Sequence, residues 1–380
     1  MSSLRDKDRV KVCILTSVHS SFDDRIFHKE AKTLAKAGYD VVLIARHNKE
    51  ETVDGVRIVP LPTPRNRFER MTKVVWKLFR LALKEKAAIY HFHDPELMPV
   101  GVGLKLFGKK VIYDVHEDVP KQILNKDWVG NVYVRKIVAF IVNIIEQLGA
   151  SLFNGIVAVT PDIARKFNPT KTILLRNLPI LRLINNAKRL EIEKEKPIII
   201  YAGGLGRVRG IKEIIQTMEL VGDKAELWLL GRWENEEFKK ECEGLAGWKY
   251  AKYLGLVPLT EVYKYMKVAD IGISILYPIK NYITSLPIKA FEYMACSLPM
   301  VMSNFSYWQE IFSECALFAN PYEPNDITDK ILYLIDNPDK AKPLGDRGRQ
   351  LAGEKYNWEA ESKKLVGLYE DLFDADKASK

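Results

Sequence analysis

Short apolar runs alternate with longer segments whose apolar residues recur every three or four positions, and the alternation continues along most of the chain. "VKVCILTS" from Val10 is apolar enough for a strand buried on both faces, "RIFHKEAKTLAKAG" has helical spacing and stops at Gly38, and "YDVVLIA" is the next strand. The pattern then predicts a helix over the basic stretch Arg65 to Lys86, a strand at "AAIYHFH", a helix at "LMPVGVGLKLFG", a strand at "KVIYDVH", a long helix from about Val132 to Leu148, and a strand at "GIVAVT". Repeated strand, helix, strand units imply a parallel sheet with helices on both faces. After the charged linker "NNAKRLEIEKEKP", Asn185 to Pro197, the series restarts at "IIIYAG" and runs through "IKEIIQTMEL", "AELWLLG", "EFKKECEGL", "YLGL", "LTEVYKYMKVA", "IGISIL", "SLPIKAFEYMACSLPMVMS" and "ALFANP".

A chain of 380 residues is too long for one ordinary core and suits two domains. Its 47% hydrophobic and 10% aromatic content is that of a folded protein. Cys13, Cys242, Cys296 and Cys315 are scattered, which indicates neither a disulfide framework nor a zinc knuckle, and a reducing cytoplasm is expected. The polar start "MSSLRDKDRVKVCILTS" has no signal-like apolar centre, and the apolar patch Ile137 to Ile145 is far short of the ~20 residues of a span, so no membrane crossing is expected.

The net charge of +9 is unevenly spread. Residues 65–86 carry eight Lys/Arg against two Glu, with Met71, Val75, Leu78, Phe79 and Ala82 at helical spacing and Trp76 beside them. Such a helix can lie on an anionic membrane surface, which would make the protein peripheral on the inner face of the cell membrane, or it can pack on its own domain. No helix-turn-helix, zinc-finger or RNP-type signature accompanies the charge, so nucleic acid is not an expected partner.

Ligands of doubly wound sheets bind beyond the carboxyl ends of the strands, and two facing lobes would form a cleft there. The polar strand ends are "VHSSFDDR", "HFHDPE" and "DVHED" in the first half and "GGLGRVRG", "GRWE" and "TSLPIK" in the second. All 6 histidines lie in the first third of the chain, which directs proton and hydroxyl chemistry to lobe one. Arg207, Arg209 and Lys289 stand in loops entering helices, where free N–H groups favour an anion, which directs phosphate binding to lobe two. "HFHD" at 91–94 lacks further ligands at metal spacing, and "DAD" at 374–376 imitates a metal-binding pair within a terminal tail, so no metal is expected.

From about Val10 to Phe373 the chain resembles the family 4 glycosyltransferases, retaining sugar-nucleotide enzymes of the two-Rossmann GT-B architecture. The carriers are "RIFHKEAKTLAKAGYDVVLIA", "HFHDPEL", "YDVHED", "IIIYAGGLGRVRGI", "LWLLG", "YLGLVPLTEVYKYMKVADIGIS" and "SLPIKAFEYMACSLPMVMSN", in this order and spacing. The "SLPxKxFEYMA" form resembles one branch of the family. The resemblance implies an α/β fold of two doubly wound Rossmann-like domains, with an acceptor-side domain over 1–185, a nucleotide-sugar-binding domain over 186–358, and a carboxyl-terminal helix over 359–380 returning to the first.

Carried over by motif, Glu292 would grip the nucleotide ribose, Arg209 the diphosphate, and His116 would face the transferred sugar. Two family anchors are replaced here: the first of two glutamates falls at Thr284, and an arginine after the glycine of the "YAG" strand falls at Gly204. Arg207 or Lys289 can supply the missing charge. Ser285 is expected to cap the helix, with Pro287 in its first turn, Leu286 between them and Lys289 aimed at phosphate. On the acceptor and sugar side stand Asp94, His19, Ser20, His93 and Glu117, while Asp23, Asp24 and Arg25 replace the family's glycine pair and are placed to cap a helix.

The expected reaction moves a sugar, with retention and without a metal, from a UDP- or GDP-sugar to a glycan, a lipid-linked or another cell-surface acceptor. His116, Asp94 and Arg209 are its catalytic candidates. A sugar-nucleotide epimerase or hydrolase of the same fold, and a non-catalytic subunit of a glycan-assembly complex, are the alternatives.

Overall fold

The structure, a computed structural model, describes residues 9–377 except 125, 127 and 128, and does not describe the side chains of residues 280, 281 and 375–377. Asp376 of the terminal "DAD" therefore lies outside the described side chains. Two compact units divide the chain: one runs to Asn177 and takes up the residues from Ala360, and the other is Leu178–Glu359. The division falls ahead of the expected boundary at 185, because Leu181–Asn186 is a helix whose Ile184 is fully buried in the core of the second unit.

The first unit is built on β1 (Lys11–Ser20), β2 (Asp40–Arg46), β3 (Glu51–Val53), β4 (Val56–Leu61), β5 (Ile89–Phe92), β6 (Lys110–Val115), β7 (Gly155–Ala158) and β8 (Thr172–Leu174). They lie in the order β3-β4-β2-β1-β5-β6-β7-β8, all parallel except β3, which runs antiparallel to β4. The β3–β4 hairpin is absent from the pattern of apolar runs; its signal is Asp54-Gly55, both at positive φ (52° and 81°), the pair a tight hairpin turn favours. Val12, Cys13, Ile14 and Leu15 of β1 are fully buried, as a central strand covered on both faces requires.

After β1 the chain winds into a wide π-type turn, Asp24–Ala31, that continues as the α-helix Lys32–Lys36. Asp23 starts it, its Oδ1 accepting the N–H of Arg25 at 2.9 Å and of Ile26 at 3.0 Å. The basic stretch is helical from Arg67 to Glu85. Val74, Leu78 and Ala82 enter the core, whereas Met71 and Trp76 stay exposed. Most of its apolar stripe is thus committed to its own unit, and Arg70 is held by Glu96 through Nε at 2.8 Å and Nη2 at 2.8 Å. The helix Trp358–Lys377 buries Leu365 and Tyr369, the latter reaching His91 of β5, so residues from Ala360 belong to the first sheet.

The second unit is a wholly parallel sheet of β9 (Ile198–Ala202), β10 (Glu226–Leu230), β11 (Ala251–Gly255), β12 (Ile271–Ser274), β13 (Met300–Ser303) and β14 (Ala316–Ala319), ordered β11-β10-β9-β12-β13-β14. Each sheet has one place where the chain reverses its direction of winding: between β1 and β5 in the first, and between β9 and β12 in the second. Crossover connections diverge at such a point, which opens a crevice beyond the strand ends.

Candidate active site

At the reversal in the first sheet the ends of β1, β5 and β6 bring polar side chains together. His91 and Asp114 stand on the neighbouring strands β5 and β6, and His93 and His116 follow just beyond their ends. Asp114 is fully buried and is the hub. Arg25 Nη2 donates to its Oδ2 at 3.0 Å, His116 Nε2 stands 3.2 Å from Oδ1, and His91 Nε2 and His93 Nδ1 lie 3.6 and 3.7 Å from Oδ2. The His93 and His116 rings meet at 3.1 Å, Nδ1 to Nε2, and His91 Nδ1 lies 2.9 Å from Tyr369 Oη. Arg25 also reaches Glu30, Nε to Oε1 at 2.8 Å, and the Leu175 carbonyl at 3.2 Å.

Two buried carboxyls share one guanidinium here, which pushes their pKa values in opposite directions. Burial opposes ionisation of Asp114, but Arg25 and then His116 outweigh it and hold its pKa well below the usual range. Glu30 goes the other way, pushed well above its usual value by burial and then by the Asp114 charge. Burial, and beyond it the neighbouring His91, keeps His93 neutral, its pKa well below the usual value; burial also lowers His91. Arg25 stays charged because Asp114 and Glu30 outweigh its burial. Ligand-type atoms of Glu30, His93, Asp114 and His116 lie within 4.8 Å of one another, a spacing a metal ion could use. The position between the carboxyls already holds the Arg25 guanidinium, which supplies the positive charge a metal would bring.

Asp94 follows β5 and is tied to the end of β1. Its Oδ2 accepts Thr16 Oγ1 at 2.8 Å and the N–H groups of Ser17 and Val18 at 2.6 and 3.1 Å, while Oδ1 faces His19 Nε2 at 3.6 Å. His19 is partly exposed and bonds Asp23 at 3.2 Å; that bond raises the His19 pKa. Burial opposes ionisation of Asp23, but the bonds from His19 and the Ile26 N–H outweigh it and lower Asp23 to about 2. Ser20 and Glu117 are exposed, Glu117 accepting a hydrogen bond from Gln122. His116 itself, with 20% of its side chain exposed, is where the buried network meets solvent.

At the reversal in the second sheet, β9 is followed by Gly203 and Gly204. Lys289, from the helix Ile288–Ala295 that follows β12, brings its ammonium back over the Tyr201 ring, 3.4 Å from the centroid. Gly203 has φ +138°, and a Cβ there would stand 2.9 Å from Lys289 Nζ, so a larger residue would collide with the ammonium. A Cβ on Gly204 would meet Arg209 Nε at 3.7 Å, an ordinary contact, which puts the Arg209 head beside the position where the arginine expected from the family is absent. Desolvation, and then the Arg209 charge, hold the Lys289 pKa well below its usual value, with Glu292 opposing them. Two basic side chains brought this close, each opposing the other's charge, describe a place that gains from an anion.

Glu292, one turn on, is buried, and its Oε1 accepts the Tyr263 hydroxyl at 3.2 Å. Arg207 points elsewhere: its guanidinium forms a fork with Glu241 at 3.1 and 2.6 Å and its N–H donates to Glu234 at 3.0 Å. Ser285 does not cap the helix. Its hydroxyl donates to the Tyr282 carbonyl at 3.2 Å and its carbonyl accepts Trp308 Nε1 at 2.7 Å, while Pro287 takes the N-cap position and leaves the first N–H groups without a side-chain cap. Thr284 ends the short helix Lys280–Ile283, and Leu286 packs on the core.

Sequence pattern did not single out Arg25 with Glu30, nor Asp114. Their signal is polarity at the ends of apolar strands: "HFH" and "DVH" place polar residues on and just beyond what became neighbouring strands.

Two domain families match this chain: "Glycosyl transferase 4-like domain" over residues 25–169 and "Glycosyl transferases group 1" over residues 184–351. An MMP alpha-(1→4)-mannosyltransferase of Mycolicibacterium hassiacum is 34% identical over 89 residues, 23% of this chain and 21% of that protein. The chain matches less than a quarter of the length of this curated relative. Sucrose-phosphate synthase from Thermosynechococcus elongatus shares the fold at TM-score 0.77, with 18% identity, over 97% of this chain and 100% of the other. HepE from Anabaena, solved with UDP and glucose, does so at 0.68, with 11% identity, over 96% and 100%. Over most of its length the chain therefore carries, one after the other, the two domain families of a GT-B glycosyltransferase.

Proposed function

We propose that this protein is a retaining glycosyltransferase that moves a sugar from a nucleoside-diphosphate sugar to a hydroxyl of a glycan or lipid-linked acceptor. The observation that carries the reading is the convergence of Lys289 and Arg209 on the two glycines that follow β9, at the winding reversal of the second sheet. The diphosphate of the donor lies against these two cations and the uncapped N–H groups at Ile288 and Lys289. Glu292 accepts from the ribose hydroxyls, held in place by Tyr263. The UDP and glucose bound by HepE support a UDP-sugar as the first donor to try.

Cleavage of the bond between C1 and the diphosphate oxygen leaves positive charge on the sugar ring and negative charge on the departing nucleoside diphosphate. Arg209, Lys289 and the helix N-terminus stabilise the leaving group with donors already in position. The acceptor oxygen bonds to C1 on the face the diphosphate leaves, and its proton passes to the diphosphate oxygen, so the products are the glycoside and the nucleoside diphosphate. His116 meets the transferred sugar, its orientation fixed by Asp114 and His93. Asp94, whose Oδ2 is fully engaged at the end of β1, shapes that wall through His19 rather than taking the proton itself.

The test is a thermal-shift screen over UDP-, GDP-, ADP- and TDP-sugars, since a ligand that binds only the folded state raises Tm by mass action. One nucleotide class should stabilise strongly, and transfer to an acceptor should then persist in EDTA. Full turnover of donor without acceptor would identify a hydrolase or epimerase. Absence of stabilisation by every nucleotide would reduce the protein to a non-catalytic partner.

A further inference from the structure

The 21-residue helix Val132–Leu152 presents two different faces. Toward the sheet it turns Ala139, Glu146, Gly149 and Ala150. Glu146 is fixed by Tyr113 Oη and Lys166 Nζ, each at 3.0 Å, and a Cβ on Gly149 would stand 3.1 Å from Met98 Cε, so the helix seats closely on Met98–Leu106. Toward solvent it turns Tyr133, Ile137, Phe140, Ile144 and Leu148, a spacing that puts them in one stripe. Tyr133 is 73% exposed, Phe140 65% and Leu148 65%. Such a stripe, running along a helix about 30 Å in length, is more contiguous apolar surface than a soluble monomer ordinarily leaves in water. The helix is not a span: no described helix is long and apolar enough to cross a membrane.

We propose that this outer face docks on an anionic lipid bilayer, the helix lying along the interface with its stripe among the headgroup-proximal acyl chains. Charge selects this occupant. The one acidic residue of the helix, Glu146, is buried on the inner side, whereas Lys136 is exposed beside the stripe and Lys171 sits at the carboxyl end, bonded to the Ser151 and Phe153 carbonyls at 3.2 Å. The helix Val75–Glu85, whose Phe79 packs against Gly103 of Met98–Leu106, adds exposed Lys77, Arg80 and Lys84 and exposed Trp76 on the same side of the sheet. A second copy of the chain on this face would meet like charges with no exposed acid on the helix to pair them.

The docked helix is also coupled to the candidate site. Val119–Leu124, packed along Val132–Leu152, follows His116 within three residues, and Tyr113, which holds Glu146, precedes Asp114 on β6. A bilayer at this face would bring His116 near headgroups, which favours an acceptor sugar or phosphate carried on a lipid. That last step rests on the glycosyltransferase reading; the docking does not.

The test uses the full-length protein and vesicles of phosphatidylcholine with and without phosphatidylglycerol. Wild type should co-sediment with the anionic vesicles, and Ile137→Ser/Ile144→Ser/Leu148→Ser should bind about tenfold more weakly or worse while melting normally, since all three side chains are exposed. Should the triple variant melt early, Ile144→Ser alone serves, with a smaller loss expected. Equal binding by variant and wild type, or no vesicle binding by wild type, overturns the proposal. So does a lipid-free dimer in light scattering that the triple variant converts to monomer, which would assign the face to a second copy.

Discussion

The Lys289 ammonium lies 3.4 Å from the centroid of the Tyr201 ring, and a Cβ at residue 203, which is glycine, would stand 2.9 Å from its Nζ and make it shift. A charged amine in this position is held over a π-face while Arg209 repels it, so it has little to lose and much to gain when a diphosphate arrives. Lys289→Met keeps the aliphatic stem and removes the charge. Donor affinity should fall by ten- to a hundredfold, the ~1.5–3 kcal/mol of a charge-assisted hydrogen bond, with nucleoside binding unchanged. Calorimetric titration with nucleoside, nucleoside diphosphate and sugar nucleotide measures both.

The pH dependence of the same site has a defined sign. Lys289 titrates well below 10.5 in the free protein, and an adjacent anion favours its charged form, so binding at high pH must take up a proton. Affinity for the nucleoside diphosphate should be full below the depressed pKa of the free protein and should decline as pH rises through it toward the value of the bound state. The Lys289→Met variant should lack this decline. A decline of the same size in the variant would place the titrating group elsewhere.

Glu292→Ala should weaken nucleoside and sugar nucleotide alike, because the carboxylate is assigned to the ribose, and Tyr263→Phe should reproduce a fraction of that loss by freeing the carboxylate to turn. Arg207→Ala should leave donor affinity intact, since the Arg207 fork is already occupied by Glu241, whereas Arg209→Ala should lower it. Equal losses in the two arginine variants would contradict this division.

In the first unit the carboxyl pair separates two substitutions that look alike on paper. Asp114→Asn leaves the buried Arg25 charge without its ionised partner and should cost about 3–5 kcal/mol of stability. Glu30→Gln replaces the carboxyl whose ionisation burial and the Asp114 charge oppose, and should cost less. The sign with pH differs too. Asp114 contributes stability above pH 3.8 that is lost as pH falls through its depressed value. Glu30 contributes below pH 4.5, and that part is lost as pH rises through its raised value. Urea unfolding across pH should therefore show Glu30→Gln gaining on wild type as pH rises above 4.5.

His116→Ala should abolish transfer and leave nucleotide affinity nearly unchanged, with a smaller loss of stability than Asp114→Asn, because His116 stands at the partly exposed edge of the network rather than at its hub. Loss of folding together with transfer would make it part of the core.

The apolar runs by themselves determined the parallel strands of the two sheets, though not the antiparallel β3. A run such as "VKVCILTS" has no face it can leave in water, and burial on both sides with short connections admits few arrangements other than β1 between β2 and β5. Residue types at strand ends likewise directed histidine chemistry to one half of the chain and cations to the other. The family motif pointed to Arg209 for the diphosphate, but residue type left Arg207, two residues away in one short turn, as a possible replacement charge, because its partner Glu241 lies far along the chain. Nor could it turn Ser285 away from the helix, since its hydrogen-bond partners, Tyr282 and Trp308, lie outside that helix. It gave no sign that Glu30 and Asp114, distant in sequence, share Arg25, and so none of the opposite directions in which their pKa values move. Two amphipathic helices read alike as patterns: over Arg67–Glu85 most of the apolar stripe went into the core, while over Val132–Leu152 small residues and Glu146 took the inner side and the large apolar ones were left outside. Periodicity reports that a face is apolar; which neighbour covers it depends on volumes and partners that only the packed sheet brings together.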